Sequence, residues 1–310
     1  MESRSNLEAV LKAGHFAVMG EIGPPRGANV EAVRKKSGFL KGKVDAVNVT
    51  DNQTAVVRLS SWATSLIVLQ EGLEPIFQMV CRDRNRLAMQ ADILGVYAHG
   101  IRNMLCLSGD HQRFGDHPKT KGVFDIDSLQ LLQMAKKMRD EGKFQNGQEI
   151  DGAPKLFLGA AANPFAEPFE WRVHRLAKKI LAGADFVQTQ CIYNMKKFRE
   201  WVRQAHEMGL LEKVYLLAGL TPLRSLGMAK YMKNNVPGMD VPDELIKRLE
   251  GVDKQKCAEE GIQIFCEQVE EIRGIKGVAG IHLMAIEWEH RVPELLERAK
   301  LLPRPQVAKG

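Results

Sequence analysis

Eight short apolar, β-rich runs recur along this chain, and an amphipathic helical pattern follows almost every one. The runs are HFAVMGEI (15–22), DAVNVT (45–50), PIFQMVC (75–81), NMLCLSG (103–109), KLFLGAAA (155–162), DFVQTQ (185–190), VYLLAGL (214–220) and GIHLMAI (280–286). Several are continuously apolar, as expected of parallel strands covered on both faces. Helical patterns fill 29–40, 56–70, 84–100, 125–142, 168–185, 195–209 and 225–235. The segment 241–274 holds enough pattern for two further helices, and 291–300 closes the chain. Neighbouring strand starts lie roughly 30 residues apart, the length of one βα unit. The spacing stretches before the fifth and eighth runs, where insertions must sit. Eight such units predict an α/β chain folded as a (β/α)8 barrel, a single domain over 1–310. An open doubly wound sheet competes. It would carry a glycine-rich turn after its first strand, and EIGPPRG at 21–27 lacks the GxGxxG spacing. The tail LLPRPQVAKG, from about residue 301, reads as mobile.

Composition limits the partners. The formal charge of +6 comes from 44 basic and 38 acidic residues mixed along the chain. Lysine doublets such as Lys178-Lys179 fall in helical patterns and read as solvated faces. Aromatic residues do not interleave with them, so no nucleic-acid surface is expected. The five cysteines form no CxxC pair, which argues for a reducing compartment and against a disulfide scaffold or a zinc site. The eight histidines show no paired ligand spacing, so no metal is expected. No stretch is long enough to span a membrane, and a cytoplasmic location is expected.

In a barrel of this kind the chemistry collects at the C-terminal strand ends. Those ends carry Glu21; Thr50, Asp51, Asn52 and Gln53; Gln78; Ser108, Gly109 and Asp110; Asn163; Gln188 and Gln190; Thr221; and Glu287 and Glu289. Glu21 ends a buried run and is followed by Gly23, Pro24 and Pro25. A carboxylate there is costly to desolvate unless it is paired or opens into a cleft. The prolines stop the ladder. Glutamines inside strands are unusual, and Gln188 and Gln190 share one strand face. Amides beside two separated carboxylates suit a flat heterocycle with alternating donors and acceptors, such as a pterin or a flavin. No lysine stands at a strand end outside loops, which disfavours a Schiff-base lyase.

The ordered set of a strand-end Glu before Pro-Pro-Arg, NVT ending the second run, LSGD ending the fourth and TQ ending the sixth resembles the methylenetetrahydrofolate reductases. The resemblance runs from about Gly14 to about Lys300. It implies a flavin at the C-terminal face, FAD by the family's habit with FMN as the alternative, and reduction of 5,10-methylenetetrahydrofolate to 5-methyltetrahydrofolate. By resemblance Glu21 is the general acid and Asp110 lies beside flavin and folate. Gln190 binds the pterin, with Leu226 and Arg291 as further substrate contacts. Thr50, Gln78, Leu107, Ser108, Gly109, Ala160, Arg175 and Lys179 match cofactor positions. The sequence departs from the family at Ile22, Gly23 and Leu226, where aromatic residues are common, and at Gln78, where histidine is common. These departures leave two electron donors open, NAD(P)H or an iron–sulfur partner subunit, and imply an oligomer or hetero-complex. A flavin-carrying electron-transfer subunit is the competing function, and pure electron transfer needs neither Glu21 nor Gln190.

Overall fold

The computed structural model describes residues 4–236 and 238–307. Among the described residues eight parallel strands close into a barrel in sequence order. They are β1 (Ala17–Ile22), β2 (Ala46–Val49), β3 (Pro75–Val80), β4 (Asn103–Leu107), β5 (Phe157–Ala162), β6 (Phe186–Cys191), β7 (Tyr215–Leu220) and β8 (Val278–Leu283). The helices are α1 (Asn6–Lys12), α2 (Val30–Leu40), α3 (Ser61–Gln70), α4 (Arg86–Ala98), α5 (Ser128–Asp140) and α6 (Arg172–Ala182). After them come α7 (Met195–Glu207), α8 (Leu226–Asn235), α9 (Asp243–Glu250), α10 (Cys257–Arg273) and α11 (Val292–Arg298). The chain is a (β/α)8 barrel. The helices α9 and α10 account for the long interval before β8. The interval before β5 divides between the segment 108–127 ahead of α5 and the segment 141–156 behind it, which holds the bridge Lys143–Glu149.

Side chains alternate along each strand, so every second residue points into the barrel. Val18, Val47, Val49, Phe77, Met79, Met104 and Cys106 point outward into the layer shared with the helices. Ala17, Met19, Ala46, Ile76, Leu105, Phe157, Phe186 and Leu217 form a separate apolar cluster, the filling of the barrel interior. The Phe157 and Phe186 rings stack 5.1 Å apart between centroids, and Gly159 leaves room for them, since a Cβ there would meet the Phe186 ring at 2.3 Å. The helix α1, not foreseen from sequence, adds Leu7, Val10 and Leu11 to this cluster and so packs against the interior filling.

Carboxylates placed just before strands tie this end together. Asp45 Oδ2 accepts the Val18 N–H of β1, and Asp185 Oδ2 accepts the Leu158 N–H of β5. Glu74 accepts the N–H groups of Asn6 and Leu7 at the start of α1, where unsatisfied donors and the helix dipole favour a negative charge. The tail expected to be mobile is instead anchored. Arg304 donates to both Asp45 oxygens and to the Phe16 carbonyl, and Leu301 is buried. Residues 308–310 of that expectation lie outside the described residues.

Glu8 of α1 is 2% exposed and bridges Arg4, at 2.7 Å, and Lys12, at 3.1 Å. Burial pushes its carboxyl up, but the bonds from Arg4 and Lys12 outweigh burial and hold it down to about 2. A depressed carboxylate stabilises the fold above its ordinary value and loses that contribution as pH falls through the depressed one. Glu8→Gln is therefore expected to flatten the loss of stability between about pH 4.5 and pH 2, a contribution on the order of 3 kcal/mol. Urea unfolding at pH 3 and pH 6 measures it. An unchanged difference between the two pH values would contradict the role.

Candidate active site

The interior filling stops one layer below the C-terminal mouth, and on β1, β2, β3 and β6 the next inward residues are polar. Glu21 follows Met19 on β1, Asn48 follows Ala46 on β2, Gln78 follows Ile76 on β3 and Gln188 follows Phe186 on β6. His282 lies beside Met19 in the β1–β8 register. Above this polar layer opens a cavity of about 490 Å³ lined by Glu21, Gln78, Gln188, Gln190 and His282. Leu107, Ala161, Ala162 and Met284 form apolar parts of its wall, and Arg172, Arg175 and Lys179 bring positive charge.

Glu21 keeps 16% of its side chain exposed and lies 3.2 Å from His282 Nε2. The segment after it is fixed through its carbonyls, since Pro24 accepts from Arg58 and Pro25 from the Leu59 N–H. Gln78 donates to Asn48 Oδ1 at 3.0 Å, while Asn48 Nδ2 and Gln188 Oε1 have no partner among the described residues. Buried orphans of this kind are costly and suit a ligand with its own donors and acceptors. Both Gln188 and Gln190 line the cavity with Thr189 between them. A register shift separates Gln188 from Cys191 where β6 meets β7, and an irregularity of this kind re-aims side chains. Thr189 Oγ1 accepts the Gly219 N–H and donates to the Gln190 carbonyl. The close approach needs glycine at 219, because a Cβ would meet the backbone carbonyl oxygen of Thr189 at 2.2 Å.

The other expected residues are distributed differently. Thr50 is buried and pairs with Gln53. Asp51 accepts the Val80 N–H and pairs with Arg84 at 2.7 Å, a role in joining β2 to β3. Ser108, Gly109 and Asp110 form the turn after β4, outside the cavity wall. Asp110 accepts the Thr54 N–H on its carboxylate and an Arg82 bond on its carbonyl. Ala160 points into the helix layer, and Ala161 and Ala162 face the cavity in its place. Leu226 packs with the apolar cluster around α8 and α9. Arg291 pairs with Glu294 and lies over the Trp288 ring. The cavity wall includes neither Leu226 nor Arg291.

Residues missed from sequence are Asn48, Arg172 and His282. Their signal was the period-two alignment with the apolar residues below them, or, for Arg172, its place one turn before Arg175 and Lys179. Lys179 comes from α6 to donate to the Ala161 carbonyl of β5. Among the described residues no group of three or more His, Cys, Asp and Glu is placed to hold a metal ion, and no helix is long and apolar enough to cross a membrane.

A parallel barrel here gathers a carboxylate, amides and a cation cluster at its C-terminal mouth, the face at which barrels of this fold place their active sites. The methylenetetrahydrofolate reductase family model matches residues 6–300, and the chain belongs to that family. It is 22% identical over 264 residues to methylenetetrahydrofolate reductase 2 of Schizosaccharomyces pombe, covering 81% of this chain and 39% of that one. It is 24% identical over 259 residues to methylenetetrahydrofolate reductase 2 of Saccharomyces cerevisiae, covering 79% and 40%. The chain thus spans about two fifths of the length of these curated relatives. Among solved structures, a Clostridium thermocellum protein described as uncharacterized and binding two copies of 5-methyl-5,6,7,8-tetrahydrofolic acid shares the fold. Its TM-score is 0.62 at 14% identity, covering 96% of this chain and 99% of that one.

Burial, with Arg175 nearby, lowers the Lys179 ammonium to about 8. It is charged below that pH and neutral above it, and a bound anion favours the charged form. Affinity for a phosphate-bearing ligand is therefore expected to fall as pH rises through about 8, and Lys179→Met is expected to remove that fall. Titration with flavin mononucleotide between pH 7 and pH 9.5 reads it. A fall of equal steepness in the variant would remove Lys179 from the anion site.

Proposed function

We propose that this chain reduces 5,10-methylenetetrahydrofolate to 5-methyltetrahydrofolate at the mouth of the barrel, with a bound flavin as cofactor. The observation that carries the reading is the half-buried Glu21 carboxyl beside an amide-lined cavity with a cation cluster on its wall. Family membership supports it. The unpartnered Gln188 and Asn48 atoms fit a ring system rich in donors and acceptors. Arg172, Arg175 and Lys179 fit the phosphate of FAD, the family's usual flavin, or of FMN.

When bound and reduced, the flavin supplies the hydride. The chain's own residues supply position and a proton. Gln190 is assigned to the pterin edge, and Gln78 and Gln188 complete the polar floor. Glu21 donates its proton to N10 of the folate, so the five-membered ring opens to the 5-iminium cation that accepts hydride. Asp110, at the rim, is assigned to balance the cation's charge. Thr50 and the turn Leu107–Gly109 are assigned to hold the flavin from the β2–β4 side. Leu226 and Arg291 lie outside the cavity wall and take no part in this reading.

The electron donor is either NAD(P)H or an iron–sulfur partner subunit. Ile22 is fully buried in the outer layer, so no aromatic ring from positions 22, 23 or 226 is available to stack on a nicotinamide. That favours a protein donor, acting in a hetero-complex. A cofactor role limited to electron transfer is disfavoured by Glu21 and Gln190, which such a role leaves unused.

Glu21→Gln keeps the shape and removes the proton. It is expected to retain flavin and to slow reoxidation of the photoreduced protein by methylenetetrahydrofolate at least ~100-fold, the low end of general-acid effects. Rapid mixing measures this. A near-wild-type rate would exclude Glu21 as the acid.

A further inference from the structure

His282 is 1% exposed, and neither ring nitrogen has a hydrogen-bond partner among the described residues. A neutral imidazole carries one donor and one acceptor, so both functions are buried and unused. The ring is nevertheless held in one place. β8 sets His282 beside Met19 of β1 and Gly219 of β7, and the ring borders the cavity. Its Nε2 lies 3.2 Å from Glu21 Oε2, within ion-pair distance but off hydrogen-bond alignment. The terminal torsion of a glutamate is broad, so a small rotation of the carboxyl aligns the two.

We propose that His282 is the proton partner of Glu21: the pair holds one mobile proton, and the imidazole reloads the carboxyl after each donation. The turnover part of this inference rests on Glu21 being the acid of the proposed reaction. In that reaction the Glu21 proton goes to the folate nitrogen as the C–N bond breaks and its electron pair stays on nitrogen. That leaves carboxylate and neutral imidazole. Solvent entering through the mouth returns one proton to the imidazole, which passes its Nε2 proton to the carboxylate and restores the acid, so one solvent proton is consumed per turnover. His282 acts through Glu21 and is a positioning residue.

The surroundings suit a pair that shares a proton. From β6, Cys191 faces Glu21 as a neutral thiol, pushed up to about 12 by burial. From α2, Lys36 is already engaged by Glu287 at 3.0 Å and Glu289 at 2.7 Å. The α6 cations Arg172, Arg175 and Lys179 border the same cavity. None of these is an ion-pair partner of Glu21 or His282, and the contact between the two is the one ion contact of either among the described residues.

The test is histidine ¹⁵N NMR of the ligand-free protein, with His282 assigned by the signal missing in His282→Asn. A carboxylate that takes up the Nε2–H fixes the tautomer of the ring, so the His282 ¹⁵N shifts are expected to differ between the wild type and Glu21→Gln. Unchanged shifts overturn the pairing. The kinetic arm follows folate-driven reoxidation of His282→Asn against pH. Without the imidazole the proton is lost from the carboxyl alone, so the limb on which rate falls with rising pH is expected to move at least one unit toward acid. An equal loss of rate at all pH values would mean a structural role and overturn the relay. If wild type fails to reduce methylenetetrahydrofolate, the proposed reaction falls, and the NMR arm still decides whether the pair shares a proton. If His282→Asn does not fold, His282→Gln supplies the assignment.

Discussion

The site depends on a geometric constraint: a closed eight-stranded barrel admits only every second residue of each strand to its interior. Those few inward positions must first exclude water and then present chemistry. The chain divides them by height. Phe157, Phe186, Met19, Ile76 and Leu217 fill the lower interior, and the following inward residues Glu21, Asn48, Gln78 and Gln188 are polar. A carboxyl seated on an apolar floor is poorly solvated from below. Its remaining contacts are the cavity and His282.

The opposite end of the barrel makes this arrangement possible. The helix α1 packs on the interior filling, and Asp45, Glu74 and Asp185 join strand starts to neighbouring segments through backbone N–H bonds. Buried charges there are paired, as with Arg304 on Asp45 and Arg139 on Asp185. Stability therefore draws on the N-terminal face, while the unpartnered atoms of Asn48, Gln188 and His282 lie at the C-terminal one.

The strands and most helices were legible because each βα unit carries its own local pattern. The first helix was not, since it precedes β1 and belongs to no βα unit. Residues 56–60 continue an apolar pattern into a segment that is not helical, and Ser60 caps α3 in their place. The tail looked mobile from its prolines, but Arg304 finds Asp45 from 259 residues away in sequence. At the site, Glu21, Gln78, Gln188 and Gln190 were legible as polar residues out of place in strands. His282 was passed over because the histidines were weighed for metal-ligand spacing and not for which strand face they occupy. Ala160 missed the cavity by one residue, which in a strand means the other face. Leu226 and Arg291 were placed by resemblance across the segments after β7 and β8, where this chain departs most from the family pattern, and local packing took them elsewhere.

The central claim is that one cavity brings the folate's ring nitrogen to Glu21 while its cation cluster holds the cofactor phosphate. The most direct measurement is a crystal structure of the chain with flavin and 5-methyltetrahydrofolate bound. The geometry predicts the flavin phosphate at Arg175 and Lys179, the pterin edge on Gln190, and N10 within about 3 Å of the Glu21 carboxyl, the reach that proton transfer requires. Folate bound outside the barrel mouth, or seated in it with Glu21 turned away from N10, would contradict the claim.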